Sequence, residues 1–579
     1  MPLSLPLSRA ARAVVLSLAT AATSQTLLGD VDSLYTSSTN QGPSTSRTPY
    51  VVPVATGVRT VSIFTVGTQD RDGTTGPTNG SPDSVSLDTV NLKSIANGDP
   101  LTQTGNAYIM AGKPDGLGLM DNGDGTFTVL MNHELGTGEG ITRAHGAIGA
   151  YVSKWTVNGS NLAVSNGQDL IRNISLTNTS GVYQTAASGV VLGNLCSADL
   201  PALSALYNST TGLGYNGRIF FSGEENSTGR SFAHVVTGAN AGTSFELPRF
   251  GRQQVENILL NPTMQNLTIV AVNEDLSSGT TPVGQVNFYI GTKTNTGNAA
   301  ERAGLNNGTL YGLRLDGLTS ETLNGSGLNG VSSKRFELVT LPNQTGKTAG
   351  TLASDVTSNN IMNFLRPEDG AWDPSNPNDY YFVSTGNSGS NPSSSNFETR
   401  LWRVRFDSIT APTSAAMDGK HGTLEMMFEG GTGTGEFLPI NMDNMTITRS
   451  GKIVIQEDPG NTSRAARIWL YDIATDTMEM IARADPARFG DKIPTAISSV
   501  SPFGQQEETS GIIDAWDILG PGWFLLTVQA HYGTGGLTTE MDEGGQLLAM
   551  FIPQAIPEPT SIGVLGLGAL AMARSRRRR

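Results

Sequence analysis

The chain reads as an all-β protein, and within that class as a β-propeller, six-bladed with long irregular loops. Three observations predict this. Six short apolar runs, rich in β-branched and aromatic residues, are spread from Phe127 to His531 and are bounded by turn residues. Each is followed by a second strand-like run. Long helical periodicity is scarce, whereas Gly is plentiful at 69 and charged residues make up only 15% of the 579 positions.

The first runs, in order, are FTVLMNHE (Phe127 to Glu134), RIFFSGEE (Arg218 to Glu225), LTIVAVNED (Leu267 to Asp275), YYFVSTGN (Tyr380 to Asn387), KIVIQED (Lys452 to Asp458) and WFLLTVQAH (Trp523 to His531). Their partners are AYVSKWTV, SFAHVVT, TLYGLRL, RLWRVRF, RIWLYDI and QLLAMFI. Six pairs suggest six blades. In a propeller the innermost strands run the same way along one channel, so equivalent strand ends converge at one mouth. The six runs end in carboxylates or other metal-capable groups. Gathered together, such groups repel by several kcal/mol at protein-like dielectric unless cations neutralise them. Bound metal is therefore the expectation, with Glu134, Glu225, Glu274, Glu457 and Asp458 as strand-end donors. Calcium suits these hard oxygen donors.

Four segments are expected along the chain. Residues 1–24 carry Arg9 and Arg12, then AVVLSLATAA, and read as a secretory signal peptide. Residues 25–85 form a Ser/Thr/Gly-rich lead, taken as linker or edge structure, and 86–553 form the propeller. Residues 556–579 resemble the PEP-CTERM sorting signal of Gram-negative bacteria: Pro557, Glu558 and Pro559, an apolar run from Ser561 to Ala573, then Arg574 and Arg576 to Arg579. That run is shorter than the ~20 residues a helix needs to cross a bilayer. The resemblance implies export to the cell surface or extracellular matrix, removal of the tail by the PEP-CTERM processing machinery, and only transient membrane contact through it.

Charge excludes some partners. The formal net charge is −14, and taking away the seven arginines of the two ends leaves −21 if Glu558 stays. Such a surface disfavours nucleic acid and anionic membranes and favours divalent cations. The one cysteine, Cys196, has no internal disulfide partner. It reads equally as a buried small residue or as a thiolate ligand for a transition metal. DNGDGT at Asp121 to Thr126 lacks the glutamate that completes an EF-hand and reads as a hairpin turn. Five histidines and no Ser-His-Asp signature give serine catalysis little support.

NHE at Asn132 to Glu134, Cys196 upstream of GEEN at Gly223 to Asn226, RPEDGAWDP at Arg366 to Pro374, and DN followed by IQED between Asp443 and Asp458 together resemble the PhoX-type alkaline phosphatases and their secreted relatives. The resemblance spans about Gly116 to Ile552. It implies a six-bladed propeller whose channel mouth holds iron and calcium and hydrolyses phosphate monoesters. Carried over residue by residue, Cys196 corresponds to the iron-binding cysteine, at a longer spacing than usual, and Glu134, Glu225 and Glu368 to carboxylate ligands. Asp443, Glu457 and Asp458 are calcium candidates, and Glu508 and Asp514 of EETSGIIDA could add to them. Arg366 is the residue expected to hold the phosphate ester, since its planar fork grips two oxygens and offsets transition-state charge. His531 could line the channel or simply face solvent. The separated Arg9 and Arg12 depart from the twin-arginine signal of iron-loaded relatives, and Lys293 and Arg302 sit in an insertion.

The expected function is a secreted metal-dependent phosphoesterase using a metal-activated oxygen nucleophile, with calcium and possibly iron as cofactors. Two other readings stand beside it: a noncatalytic calcium-stabilised surface or matrix protein, and a calcium-dependent esterase, phytase or lactonase on the same scaffold.

Overall fold

The computed structural model describes residues 40–45, 47–66, 108–323, 327–387, 398–431, 437–460, 464–533 and 537–557. The expected signal peptide and all but the first residues of the sorting tail lie outside them. Strands dominate; the longest described helix, Ala349–Ser358, is a surface element capped by Thr348.

Each of the six apolar runs forms a strand, but none is the strand nearest the axis. A more polar strand precedes every one of them and pairs with it in antiparallel fashion: Pro114–Asp121, Leu195–Asp199, Val255–Leu260, Pro367–Trp372, Met442–Ile447 and Glu508–Asp514. These six first strands touch one another in that order, and the last touches the first, closing a ring. The runs from Phe127, Ile219, Leu267, Asp379, Lys452 and Trp523 are second strands, one layer outward. First strands carry small, polar or acidic side chains where they start near the axis, as at Asp115, Glu256 and Asp443, whereas second strands lie between neighbouring sheets and carry apolar residues along most of their length. Ile219–Glu224 and Trp523–Gln529, for example, are buried at every position.

Two further features concern the sheet edges. The Ser/Thr/Gly-rich lead is part of the fold: Arg59–Val66 pairs with Gly545–Phe551 and Val51–Pro53 with Thr477–Ala484. The start of the chain thus completes sheets built from its end, and so ties the ring shut. The third and fourth sheets are not separate, because Ser333–Thr340 pairs with Gly422–Glu429 and fuses them into nine strands. TLYGLRL is accordingly a fourth strand, behind Val286–Thr292.

Apolar side chains fill the wedges between sheets. Phe64, Trp155 and Leu525 pack in one cluster, and Phe288, Trp372, Tyr380, Phe382, Trp402 and Phe406 in another. Phe288 meets Phe406 edge-on at 5.0 Å. Each such fully buried large side chain contributes about 1.5–3 kcal/mol. Trp372, Trp402 and Trp469 are packing residues of these wedges, as the sequence suggests.

Candidate metal centre

In each of the six strand pairs the second strand ends beside the start of the first, so both meet at one mouth of the ring. Pro114 faces His133, Leu195 faces Glu224, Val255 faces Glu274, Pro367 faces Ser384, Met442 faces Glu457 and Glu508 faces Gln529. In all six pairs the register shifts at or just beyond this point. A bulge re-aims the side chain it carries.

The second residue of the first strand is Asp115, Cys196, Glu256, Glu368, Asp443 and Thr509, with Glu508 just before the last. The residue after the second strand is Glu134, Glu225, Asp275, Thr385, Asp458 and Ala530. These two tiers interlock. Asp115, Glu134 and Cys196 bring one donor atom each within 4.8 Å; so do Cys196, Glu225 and Glu256; so do Glu256, Glu368 and Asp443. The three groups overlap, the first two sharing Cys196 and the last two sharing Glu256.

Burial and mutual repulsion mark these acids. Burial first, then neighbours including Glu508 and Glu134, pushes Asp115 well above the carboxylate range. Glu134 is raised to about 7 and Glu256 to about 8, chiefly by burial, and Asp458 to about 6. Glu225, Glu368 and Asp443 are displaced upward for the same reason, with other cluster acids adding to it. Burial and then Asp115 push the Cys196 thiol up, and its Sγ lies 3.4 Å from Asp115 Oδ2. Asp115 Oδ1, Glu256 Oε2 and Asp443 Oδ1 are buried without any hydrogen bond. Buried acceptors left open in this way cost about 1–3 kcal/mol each. A cation satisfies them, so the donor set fits calcium on the carboxylates and a thiolate-accepting metal such as iron at Cys196.

Arg366 stands over this cluster. Its Nε and Nη2 donate to the two oxygens of Asp275 at 2.9 and 3.0 Å, and Nη2 also lies 3.0 Å from Glu368 Oε1. Its backbone is left-handed, φ 58°, a conformation that costs a non-glycine residue energy and clusters at functional sites. Burial alone would lower its pKa, but Glu368, Asp275 and Asp443 overcome this and hold it charged. A third of its side chain remains exposed. His531, also left-handed at φ 46°, donates from Nδ1 to Glu543 at 2.9 Å, while Nε2 lies 3.7 Å from Glu508. Its pKa is raised to about 10, since these carboxylates outweigh burial.

Of the expected donors, Glu134, Cys196, Glu225, Glu368 and Asp443 are brought together, and Asp458 adjoins them. Glu274 and Glu457 are not. Strand alternation turns each away from its neighbour, so Asp275 and Asp458 take the mouth instead. Glu274 is buried beside the backbone of Gln285 and Gln254. Glu457 pairs with Arg464 and accepts from Ile440 N at 2.9 Å, Arg467 N at 3.0 Å and Trp469 Nε1 at 2.8 Å. The same alternation turns Glu224 toward Arg230, 2.5 Å away, and leaves Glu225 to the cluster. Asp514 lies at the opposite end of its strand, bonded to Trp516 N at 2.9 Å. Lys293 caps the carbonyls of Gln265 and Leu267, and Arg302 lies over Tyr215. Asp121 and Asp124 bond within their own hairpin. Sequence reasoning missed Asp115, Glu256 and Asp275. Asp115 and Glu256 begin strands whose polar character hid them, and the signal that could have found them is the recurring acid at the second strand position.

Residues 555–579 match the family model described as the PEP-CTERM protein-sorting motif. No curated protein matches the chain. Among solved structures, PhoX of Pseudomonas fluorescens, in complex with vanadate, a transition state analogue, is similar over 88% of this chain and 98% of that one, at 13% identity and a TM-score of 0.52. The periplasmic gluconolactonase PpgL of Pseudomonas aeruginosa is similar over 86% of this chain and 100% of that one, at 11% identity and a TM-score of 0.32. The GH93 α-L-arabinofuranosidase of Fusarium graminearum covers 79% and 96% respectively, at 9% identity and 0.34. At these identities the likeness is one of fold, and of the three only that to PhoX is close enough to argue from. The chain thus has a mostly-β, propeller-type fold similar to that of PhoX, and it carries a PEP-CTERM sorting motif.

Proposed function

We propose that this protein is an exported, metal-dependent phosphoesterase on a six-bladed propeller, one blade for each first strand of the ring. Residues 1–24 would be removed as a signal peptide and residues 556–579 by the PEP-CTERM machinery, leaving residues 25–555 as the working unit. The observation that carries the functional reading is the set of three overlapping donor groups with Arg366 poised above them.

In this reading Asp115, Glu134, Glu225, Glu256, Glu368 and Asp443 would hold calcium, and Cys196 would take part in holding iron. Bound cations supply Lewis-acid activation of a water nucleophile and neutralise phosphoryl oxygens. The chain's own contribution is orientation. Asp275 fixes the plane of the Arg366 guanidinium, and the remaining donors of that fork face the mouth, where they can take a phosphate oxygen. Glu368 keeps the guanidinium near the cations. The register shifts at the strand starts hold the donors in place, so little reorganisation is needed when charge develops. His531 is held between Glu543 and Glu508 beside the cluster.

The noncatalytic reading draws on one observation. Arg366 already pairs with both Asp275 and Glu368, and such a pairing suits a cation-stabilised surface protein equally well. Metal analysis of protein purified without chelator, together with turnover of p-nitrophenyl phosphate, tests the two. Calcium with iron and turnover supports the phosphoesterase; calcium alone without turnover supports the structural role.

A further inference from the structure

Beneath the donor groups a hydrogen-bond chain crosses the ring from one side to the other. Asn444 Nδ2 donates to Ser197 Oγ at 2.7 Å, and Ser197 Oγ donates to Glu256 Oε1 at 2.5 Å. All three side chains are buried. Asn444 belongs to the fifth first strand and Ser197 to the second, which lie opposite each other in the ring, while Glu256 belongs to the third. With Glu256 ionised, valence fixes the direction of this chain. An amide NH₂ can only donate, so the serine oxygen accepts from it and turns its single proton toward the carboxylate, which can only accept when ionised. Asn132 Nδ2 holds the backbone of the same segment by donating to Cys196 O at 2.7 Å.

We propose that Asn444 and Ser197 are positioning residues that lock Glu256 as the carboxylate shared by two adjacent cation positions. With Oε1 engaged from below, the carboxylate plane is set, and Oε2, which has no hydrogen-bond partner, is presented to the cations. Glu256 belongs to the group with Cys196 and Glu225 and also to the group with Glu368 and Asp443. Loosening it therefore weakens both positions together. A side chain that belongs to one group only, such as Asp115, would affect one position. Partners that orient a ligand in this way typically contribute 10–100-fold to metal affinity.

This inference rests on the metal reading above, and the test separates the two. Metal-replete full-length protein is dialysed against graded EGTA, and metal per chain is measured by mass spectrometry for the natural protein, Ser197→Ala, Ser197→Thr and Asn444→Ala. Both cations that share Glu256 should leave Ser197→Ala at about 10–100-fold weaker chelation, and Ser197→Thr, which keeps the hydroxyl, should hold them. Should Ser197→Ala fail to fold, Asn444→Ala, which removes only the directing donor, carries the same comparison. A natural protein that binds no metal removes the metal reading and this inference with it. If the natural protein binds metal but the variants release it at the same chelation, release it from one position only, or are not rescued by threonine, the lock alone is overturned.

Discussion

Arg366 and Asp275, 91 residues apart in the chain, form a two-pronged ion pair 2.9 and 3.0 Å long. The acid is almost fully buried, whereas a third of the arginine side chain is exposed. Its buried partner thus holds the fork fixed while part of it remains open to the mouth.

Replacing Arg366 should therefore separate charge from geometry. Arg366→Ala is expected to lower turnover of a phosphomonoester by about 10²–10³-fold, the size of effect seen when one oriented donor to transition-state charge is removed. Arg366→Lys should recover only part of it, since an ammonium cannot make the paired contact. Steady-state kinetics with p-nitrophenyl phosphate, alongside circular dichroism to verify the fold, reads this directly. Unchanged turnover in folded Arg366→Ala takes the residue out of the site.

Removing cations should make the protein's stability fall with rising pH above neutrality. Glu134, at about 7, and Glu256, at about 8, are raised above their unfolded values. The folded state then holds more protons than the unfolded one, so stability is greatest at low pH and declines as pH climbs through these values. His133, His145 and His234 act in the opposite sense. Burial lowers them to about 3, 4 and 3, so they destabilise the fold below pH 6.5 and not above it. Chelated protein should thus lose stability from pH 6.5 toward pH 8, where the histidines no longer contribute and the raised acids ionise. Calcium at a hundred times its dissociation constant should restore about 2.7 kcal/mol per site. Urea unfolding at pH 6.5 and 8, with EDTA and with calcium, checks this, and a chelated protein as stable at pH 8 as at 6.5 would falsify it.

Glu457 should behave as a structural acid. It and Arg464 are both fully buried, and breaking a buried pair by removing one partner costs about 3–5 kcal/mol. Glu457→Gln is expected to lower unfolding stability on that scale while leaving metal per chain unchanged. Loss of metal from a folded Glu457→Gln protein would return this residue to the cluster.

The contrast between Glu457 and Asp458 also shows where the sequence is readable. Second strands such as KIVIQED announce themselves, because burial between sheets demands β-branched and aromatic residues. Their partners do not. PDGLGLMD and VENILL each place an acid second and glycine or asparagine after it, so Asp115 and Glu256 carried no strand pattern to reveal them. The convergence of acids at one mouth was legible from the repeated strand ends. The choice within a pair was legible at Glu224 and Glu225 but not at Glu274 and Asp275, because one step along a strand reverses the face and the exact strand end leaves no mark in composition.

Cys196 carries the last expectation. Burial and the adjacent Asp115 push its thiol up, so without a cation it is a neutral group 3.4 Å from that carboxylate. A transition metal would reverse this by taking the thiolate as a ligand, with the carboxylates around it offsetting the ion's charge. Cys196→Ser should therefore reduce iron per chain selectively and leave calcium at the Glu256, Glu368 and Asp443 group, which does not include the cysteine. Parallel iron and calcium determinations on the two proteins read this out. Equal iron in both assigns Cys196 to packing alone, and joint loss of both metals would mean that the three groups bind as one unit.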